Sequence, residues 1–385
     1  QKAAVAVEDK AGSTMMLGQK RPRRDETSGH ASDGARKIGR RGGGIGLANL
    51  GNTCYLNAIV QAAAACGAAA QSVSRTTEPP ATEIRSQTQQ LLRAMQTATA
   101  GGLPAAHGGT VLSPRNFWRA VRGVIPEYNN GRQQDAREFW ARWQEQLGRV
   151  PEHAEPSVAW ARWLAERDLH TVTHTSCDHC QTVMDNHPEA GARALAPERA
   201  VMADVAPGPE LASVAAAVRQ AFGPVALRGR RCDPARGGCG EVGGHKVIKC
   251  RTLPTVLVVC LARYRRTSRG PERVSTPVRR VGDDVDFAEH LDALSTAAGG
   301  DPAKAGYRTK EPPSTRYRPR AVVRHKGATT RSGHYTCWVR TETGSGEQGE
   351  DAWVIYDDAA IGPPQATLPP NVDTEAYLVF YELRP

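Results

Sequence analysis

The chain reads as an α+β protein, on a change of pattern midway along its 385 residues. The first half repeats apolar residues at spacings of three and four, as amphipathic helices do. The second half breaks into short β-branched or aromatic runs separated by Gly, Pro and charged stretches, as an antiparallel sheet does. A third observation is length: at roughly 100–200 residues per domain, the chain can bury a sizeable core and carry two or three units.

Taken in order, residues 1–44 hold ten Lys or Arg against five Asp or Glu, which is half of the net +10. Few large apolar residues lie among them, so burial cannot offset the entropy of ordering, and a disordered basic tail is expected. Lys20, Arg21, Arg23 and Arg24 form a basic run of the import-signal or nucleic-acid type. The stretch "GLANLGNTCYLNAIVQAAAAC", residues 46–66, is a Gly/Asn turn that opens an apolar helix at Cys54. Ile84, Leu91, Leu92 and Met95 mark one side of a helix over 83–97. In "SPRNFWRAVRG", Ser113 is the expected N-cap and Pro114 the first helical residue. Ala136, Phe139, Trp140, Trp143 and Leu147 form a core stripe.

"TVLVVCLARY", "RAVVRH", "HYTCWVR", "AWVIYDD" and "EAYLVFYEL" are the expected strands. Residues 181–230 and 265–315 show weak periodicity and read as long loops or insertions. With 39% hydrophobic content and no apolar run near 18 residues, neither a membrane span nor a membrane partner is expected. The amino terminus shows no secretion pattern, and nine cysteines, an odd number, argue against a disulfide framework. A cytoplasmic or nuclear monomer is the expectation.

The thiols are then catalytic, metal-binding or buried. A sulfur at a helix N-terminus faces unpaired backbone amides that favour thiolate, and Cys54 has that setting. Asn49 and Asn52 are both placed to help hold an oxyanion. On its own a turn cysteine would carry no function. Downstream, His334 opens a strand in "SGHYTCWVR", and Asp357 and Asp358 end another in "WVIYDD". A thiol needs a base, and an imidazole needs an acceptor to fix its tautomer. Cys337, three residues from His334, falls on the opposite strand face and is a poor nucleophile. Asp135 and Glu138 lie one turn apart, a spacing equally suited to a solvated helix face.

Cys177 and Cys180 in "TSCDHC" have the CxxC spacing of a metal knuckle, while Cys232 and Cys239 in "RCDPARGGCG" enclose a wider loop. Four thiolates would leave no open position for water, so the metal would be structural zinc. His179 and His245 are bystanders in this reading. Cys66, Cys250 and Cys260 read as small buried hydrophobes, and His325 as structural or groove-lining.

The blocks "GLANLGNTCYLNAIVQ", "GRQQDAREFW", "TVLVVCLARY", "SGHYTCWVR" and "WVIYDDAAI" resemble, in order and wording, the ubiquitin-specific protease family of cysteine deubiquitinases. The resemblance implies a papain-like peptidase core over 45–385: a helical thumb (45–165), zinc-ribbon fingers with the start of the palm (166–262) and an antiparallel palm (263–385). It implies Cys54 as nucleophile, His334 as general base and acid, Asp357 as orienting carboxylate with Asp358 as fallback, and Asn49 rather than Asn52 as oxyanion donor. Asp135, Glu138, Gly333 and Tyr335 would meet the substrate, ubiquitin's arginine-bearing tail pairing with the carboxylates. The four cysteines would hold a structural Zn2+. Ala58 stands where a serine is usual, Tyr264 where phenylalanine is common, and "TETGSGEQGED" lengthens a loop. A catalytically silent ubiquitin-binding scaffold is the competing reading, opposed by the intact Cys, His, Asp set. A zinc-dependent nucleic-acid binder leaves the five blocks unexplained, so no nucleic-acid partner is expected.

Overall fold

The computed structural model describes residues 44–100, 111–155, 157–182, 198–268, 270–291, 314–343 and 350–384. The basic tail expected over 1–44 lies outside the described residues except for Gly44. The chain packs a helical layer against one face of a large sheet, with a smaller sheet that carries the paired cysteines.

Eight helices are described: α1 (Cys54–Ala65), α2 (Ala68–Arg75), α3 (Glu83–Ala100), α4 (Arg115–Val124), α5 (Ala136–Gly148), α6 (Val158–Ala165), α7 (Val214–Ala221) and α8 (Val372–Glu375). The strands are β1 (Gly46–Leu47), β2 (Val111–Leu112), β3 (His170–Cys177), β4 (Val201–Asp204), β5 (Val225–Ala226), β6 (Gly244–Thr252), β7 (Val256–Ala262), β8 (Tyr264–Thr267), β9 (Gly270–Arg273), β10 (Val285–Asp286), β11 (Arg316–Thr329), β12 (Ser332–Thr343), β13 (Glu350–Asp357), β14 (Ala360–Ile361) and β15 (Ala376–Leu383).

Helix α1 is buried through its first ten residues, Cys54 to Ala63, which is the fate of a helix apolar on all sides. It lies on β11 and β12, so the helix that begins with Cys54 and the strand that carries His334 belong to one core. A 98° bend at Gly67 leads into α2. Among the described residues no single helix is long and apolar enough to cross a membrane. The expected stripe of α5 is buried throughout, with Phe139 stacked on Trp143 at 5.9 Å and Trp140 edge-on to Phe380 of β15 at 5.2 Å. Such pairs add about 0.5–1.5 kcal/mol beyond area burial.

The main sheet runs β14-β13-β12-β11-β15-β7-β4, with β10 added to β11. Its five central strands are those expected, and all pair antiparallel. Their registers set Lys326 opposite His334 and Cys337 opposite Tyr356. The second sheet, β3-β6-β5, is partly exposed on most of its positions.

Two expectations need correction. Helix α4 starts at Arg115, with Pro114 in the N-cap position and no side-chain cap from Ser113: the Pro114 carbonyl takes the first helical bond, from Trp118 N–H at 2.8 Å. The stretches read as loops hold β4, α7, β5, the β8–β9 hairpin and β10 as well. These elements are too short for periodicity to show them. Strand β4 has four residues, alternately buried and exposed, and α7 is marked mainly by the Ser213 cap, whose hydroxyl accepts from Ala216 N–H at 3.1 Å. Parts of both stretches, 183–197 and 292–313, fall outside the described residues.

Just beyond β7, Arg263 is buried to 1% exposure. Its guanidinium donates to the carbonyls of Ala376 at 2.7 Å, Thr276 at 2.6 Å and Val274 at 3.3 Å, and to that of Asp373. One cation thus ties the β7 strand end to the loop after β9 and to both ends of α8. Arg263→Leu is expected to lower stability by at least about 3 kcal/mol, because buried carbonyls lose charged donors. Denaturant unfolding followed by tryptophan fluorescence measures this, and a change under about 1 kcal/mol would refute the role.

Candidate active site

The site is built on the turn before α1. Gly51 and Asn52 take positive φ, +96° and 54°, and so wind the chain tightly into the helix. The Asn49 side-chain oxygen sits inside the turn, accepting from Gly51 N–H at 2.9 Å and from Thr53 N–H and Oγ1 at 3.2 Å each. Thr53 gives no side-chain cap, so the first-turn amides of α1 are left to whatever approaches the Cys54 sulfur.

The other end of the Asn49 amide is also held. Its Nδ2 donates to Asp358 Oδ2 at 2.8 Å, while Asp358 Oδ1 accepts from Asn57 Nδ2 at 2.7 Å. Asn57 also reaches the carbonyls of Leu47 at 3.2 Å and Ala48 at 3.3 Å. Asp358 is therefore committed to the thiol turn. An amide nitrogen carries two hydrogens, and the second on Asn49 remains for a ligand. Asn52, the other candidate donor, is tied to the Gly131 carbonyl at 2.9 Å.

His334 Nε2 meets Asp357 Oδ1 at 2.6 Å, and the Cys54 thiol is near enough to act on the same ring. Its pKa is raised to about 9, first by the hydrogen bond to Cys54 and also by that to Asp357, with burial pulling the other way. Of the two neighbouring carboxylates, Asp357 bonds the imidazole and Asp358 bonds the two asparagines. The β11–β12 hairpin that presents His334 needs glycine twice. A Cβ on Gly327 would lie 2.0 Å from the Ser332 carbonyl oxygen, and one on Gly333, at φ +124°, 2.2 Å from that of Lys326.

Tyr335 points inward, 1% exposed, stacked on His325 at 4.0 Å, with its hydroxyl donating to the Thr330 carbonyl at 2.9 Å. His325 is itself buried, its pKa pushed down to about 4 chiefly by burial, and its ring lies between Tyr264 Oη and Gln133 Nε2. The hydroxyl that distinguishes Tyr264 is thus bonded to His325. Asp135 caps α5, accepting from Arg137 N–H at 2.7 Å and Glu138 N–H at 3.2 Å, and also takes the Tyr377 hydroxyl at 2.8 Å. It lines a cleft of about 210 Å³ with Arg137, Met202, Tyr264, Thr330 and Tyr377. Glu138 faces Arg331 of the hairpin at 3.7 Å. Cys337 is fully buried with its pKa driven well up by burial, and Cys66, Cys250 and Cys260 are pushed up to about 12 for the same reason.

Cys177, Cys180, Cys232 and Cys239 converge, with all four sulfurs within 4.8 Å of one another. Cys177–Cys239 and Cys180–Cys232 are 3.6 and 3.7 Å apart, close to the roughly 3.8 Å edge of a tetrahedron with 2.3 Å metal–sulfur bonds. The wide second loop folds back through a short 3-10 turn, Pro234–Arg236, and Gly237 at φ +79°. A Cβ on Gly238 would lie 2.4 Å from the Cys232 sulfur. The donor set fits a metal ion. His245 is engaged elsewhere, with Asp178 Oδ1 at 2.8 Å.

Residues 45–381 match the family model of ubiquitin carboxyl-terminal hydrolases, and the chain belongs to that family. It is 25% identical over 361 residues to ubiquitin carboxyl-terminal hydrolase 23 of Arabidopsis thaliana, covering 88% of this chain and 35% of that protein. To ubiquitin carboxyl-terminal hydrolase 21 of Mus musculus it is 25% identical over 390 residues, covering 89% and 62%. The chain therefore spans about a third to three fifths of the length of these relatives. Among solved structures it is similar to the SAGA DUB module bound to monoubiquitin, with TM-score 0.63, 17% identity and coverage of 91% of this chain and 71% of that one. The same module bound to ubiquitin aldehyde gives TM-score 0.61 and 16% identity over the same shares. The mixed helix and sheet fold is that of these structures.

Residues missed from sequence are Asn57, Gln133 and Asp358 in its clamping role. Asn57 left a trace: it is a polar side chain one turn past Cys54 in a helix whose other residues, Gln61 apart, are apolar, and burial there demands a partner.

The charge state of His334 gives a direct test. Its folded pKa, about 9, lies above the ordinary 6.5, so its contribution to stability is complete below about pH 6.5 and is lost as pH rises through about 9. Histidine NMR should give a His334 midpoint near 9 that falls clearly in Cys54→Ala. A wild-type midpoint near 6.5 would contradict the thiol–imidazole pairing.

Proposed function

We propose that the chain is a thiol-dependent deubiquitinase that hydrolyses the bond after ubiquitin's terminal glycine. The observation that carries the reading is the His334–Asp357 hydrogen bond, with Cys54 near enough to raise the His334 pKa, beside an Asn49 amide held by Asp358. Ubiquitin is proposed because the family and the similar solved structures are named for it.

An imidazolium beside sulfur favours the thiolate. In this mechanism the Cys54 sulfur attacks the glycine carbonyl carbon, and the carbonyl electrons move to oxygen. Asn49 Nδ2 and the Cys54 backbone N–H stabilise that oxyanion, a kind of contact worth about 2.7–4 kcal/mol. Collapse breaks the C–N bond as His334 gives its proton to the leaving lysine amine, leaving a thioester. His334, now neutral, takes a proton from water as the oxygen attacks. The second tetrahedral intermediate expels the thiolate, releases the carboxylate and restores the ion pair. Asp357 holds the imidazole in one tautomer throughout. Glu138, and Asp135 so far as its cap and tyrosine bonds allow, would meet basic side chains of an extended tail in the cleft.

The metal proposed for the four-cysteine cluster is zinc, closed by Cys177, Cys180, Cys232 and Cys239. It would hold the β3 and β6 ends together and take no part in the reaction.

Ubiquitin carrying a carboxyl-terminal electrophile is expected to form one covalent adduct per chain, absent in Cys54→Ala, while that variant still binds ubiquitin. Binding without an adduct in the wild type would favour the silent scaffold, and neither binding nor adduct would sink the assignment. Elemental analysis is expected to find one zinc per chain, lost in a Cys177→Ser/Cys180→Ser variant that keeps the fold of the helical layer. A chain that is folded and metal-free as purified would reject the zinc site.

A further inference from the structure

An isopeptidase acting on protein conjugates has a second substrate half, the protein that supplies the lysine, and that half must sit against the surface around the nucleophile. On one flank of the Cys54 turn that surface is strongly basic. Residues 113–134 contain Arg115, Arg119, Arg122 and Arg132 against one acid, Glu127. The first three recur at intervals of four and three on the exposed face of α4, opposite buried Phe117, Trp118, Ala120 and Val121. They span about 10 Å of helix.

Several exposed arginines elsewhere pair with carboxylates: Arg142 with Glu127 and Glu145, Arg219 with Glu289, Arg279 with Glu210 and Asp373. Among the described residues Arg115, Arg119, Arg122 and Arg132 have no ion pair, and the one nearby acid, Glu127, is taken by Arg142 at 3.8 Å. Arg122 reaches the neutral Asn129 side chain at 3.5 Å and lies over the Trp118 ring, 5.5 Å from its centroid.

Both ends of α4 are fastened to the catalytic turn. Strand β2, just before the helix, pairs with β1, and the Leu112 carbonyl accepts from Ala48 N–H at 2.8 Å, one residue before Asn49. Past the helix, the Gly131 carbonyl holds Asn52, two residues before Cys54, and Arg132 follows at once, exposed.

Resting on the proposed deubiquitinase reading, we infer that Arg115, Arg119, Arg122 and Arg132 form a docking face for an acidic segment of the protein that carries ubiquitin. The chemistry is that of carboxylates approaching guanidinium groups that have no carboxylate of their own among the described residues. Its effect is on selection among conjugates and on encounter rate, not on the bond-breaking step. A nucleic acid would meet the same charge, but a patch this short, set beside the nucleophile, favours the conjugate.

The test uses four substrates: ubiquitin amide-linked to a small fluorophore, and ubiquitin isopeptide-linked to a lysine within an acidic, a neutral or a basic peptide. The wild type is expected to favour the acidic conjugate by about tenfold in kcat/KM at low salt and to lose most of that preference near 0.5 M salt. Arg115→Gln/Arg119→Gln/Arg122→Gln should abolish the preference, and the corresponding Glu variant should invert it toward a basic peptide. Both should cleave the fluorophore conjugate within about twofold of wild type, since it offers no second protein half. Equal wild-type rates on acidic and neutral conjugates overturn the inference, as does a preference that survives in both variants. A labelled DNA duplex that binds through the same arginines and blocks the acidic conjugate would replace it with nucleic-acid docking. No cleavage of any conjugate would instead sink the deubiquitinase reading, and the inference with it.

Discussion

The Asp358 carboxylate fastens the helical layer to the sheet at the candidate site. It follows the last residue of β13 in a left-handed conformation, φ 51°, and each of its oxygens holds one asparagine, Asn49 in the turn or Asn57 in α1. Its backbone carbonyl accepts from Leu47 N–H at 2.8 Å, so three bonds cross the layers within one residue. Asp357 is the neighbouring residue on the sheet side. The acceptor that orients the imidazole and the acceptor that holds the candidate oxyanion donor are thus adjacent along one chain, and neither can shift without the other.

That coupling relies on a rigid support. Helix α1 slots between the sheet and the aromatic stripe of α5, where close packing resists small displacements. Two polar side chains in this interior bond backbone carbonyls of other elements. The Gln61 side chain donates to the Ile45 carbonyl, and the fully buried Arg167 donates to the carbonyls of Trp163 at 3.0 Å and Cys66 at 2.9 Å while lying over the Trp163 ring. Burial lowers the Arg167 pKa to about 10. Arg263 does the same on the other side of the sheet, and in both cases one planar donor serves several carbonyls that strand and helix ends leave unpaired.

Legibility from sequence followed the length and regularity of each element. The α5 stripe and the five central strands could be read because their periodicities run for seven residues or more, and burial in the structure obeys them. Strand β4 could not, since four residues between weakly patterned stretches carry no period. Cys54, His334 and Asp357 could be singled out because each sits where an element begins or ends. Asp135 shows the limit of spacing arguments. Its place one turn from Glu138 suggested a shared helix face, but it is the cap of α5 and is also bonded to Tyr377, which comes from a strand more than two hundred residues away. Asp358 was visible only as an alternative to Asp357, because nothing local shows that two asparagines will reach for it.

The two sheets differ in what holds them, and this explains why the cysteines sit where they do. The main sheet is covered by helices and a core on both faces, and its strands β7 and β15 are almost wholly buried. Strands β3 and β6 pair over eight residues yet leave most side chains partly exposed, so apolar burial cannot account for the order of their far ends. Cys177 closes β3 at that far end, opposite Gly244 at the start of β6, and the other pair arrives on the loop that precedes β6. Four cysteines able to hold a metal ion thus stand where packing is thin, while the catalytic candidates stand on the part of the fold that packing already holds.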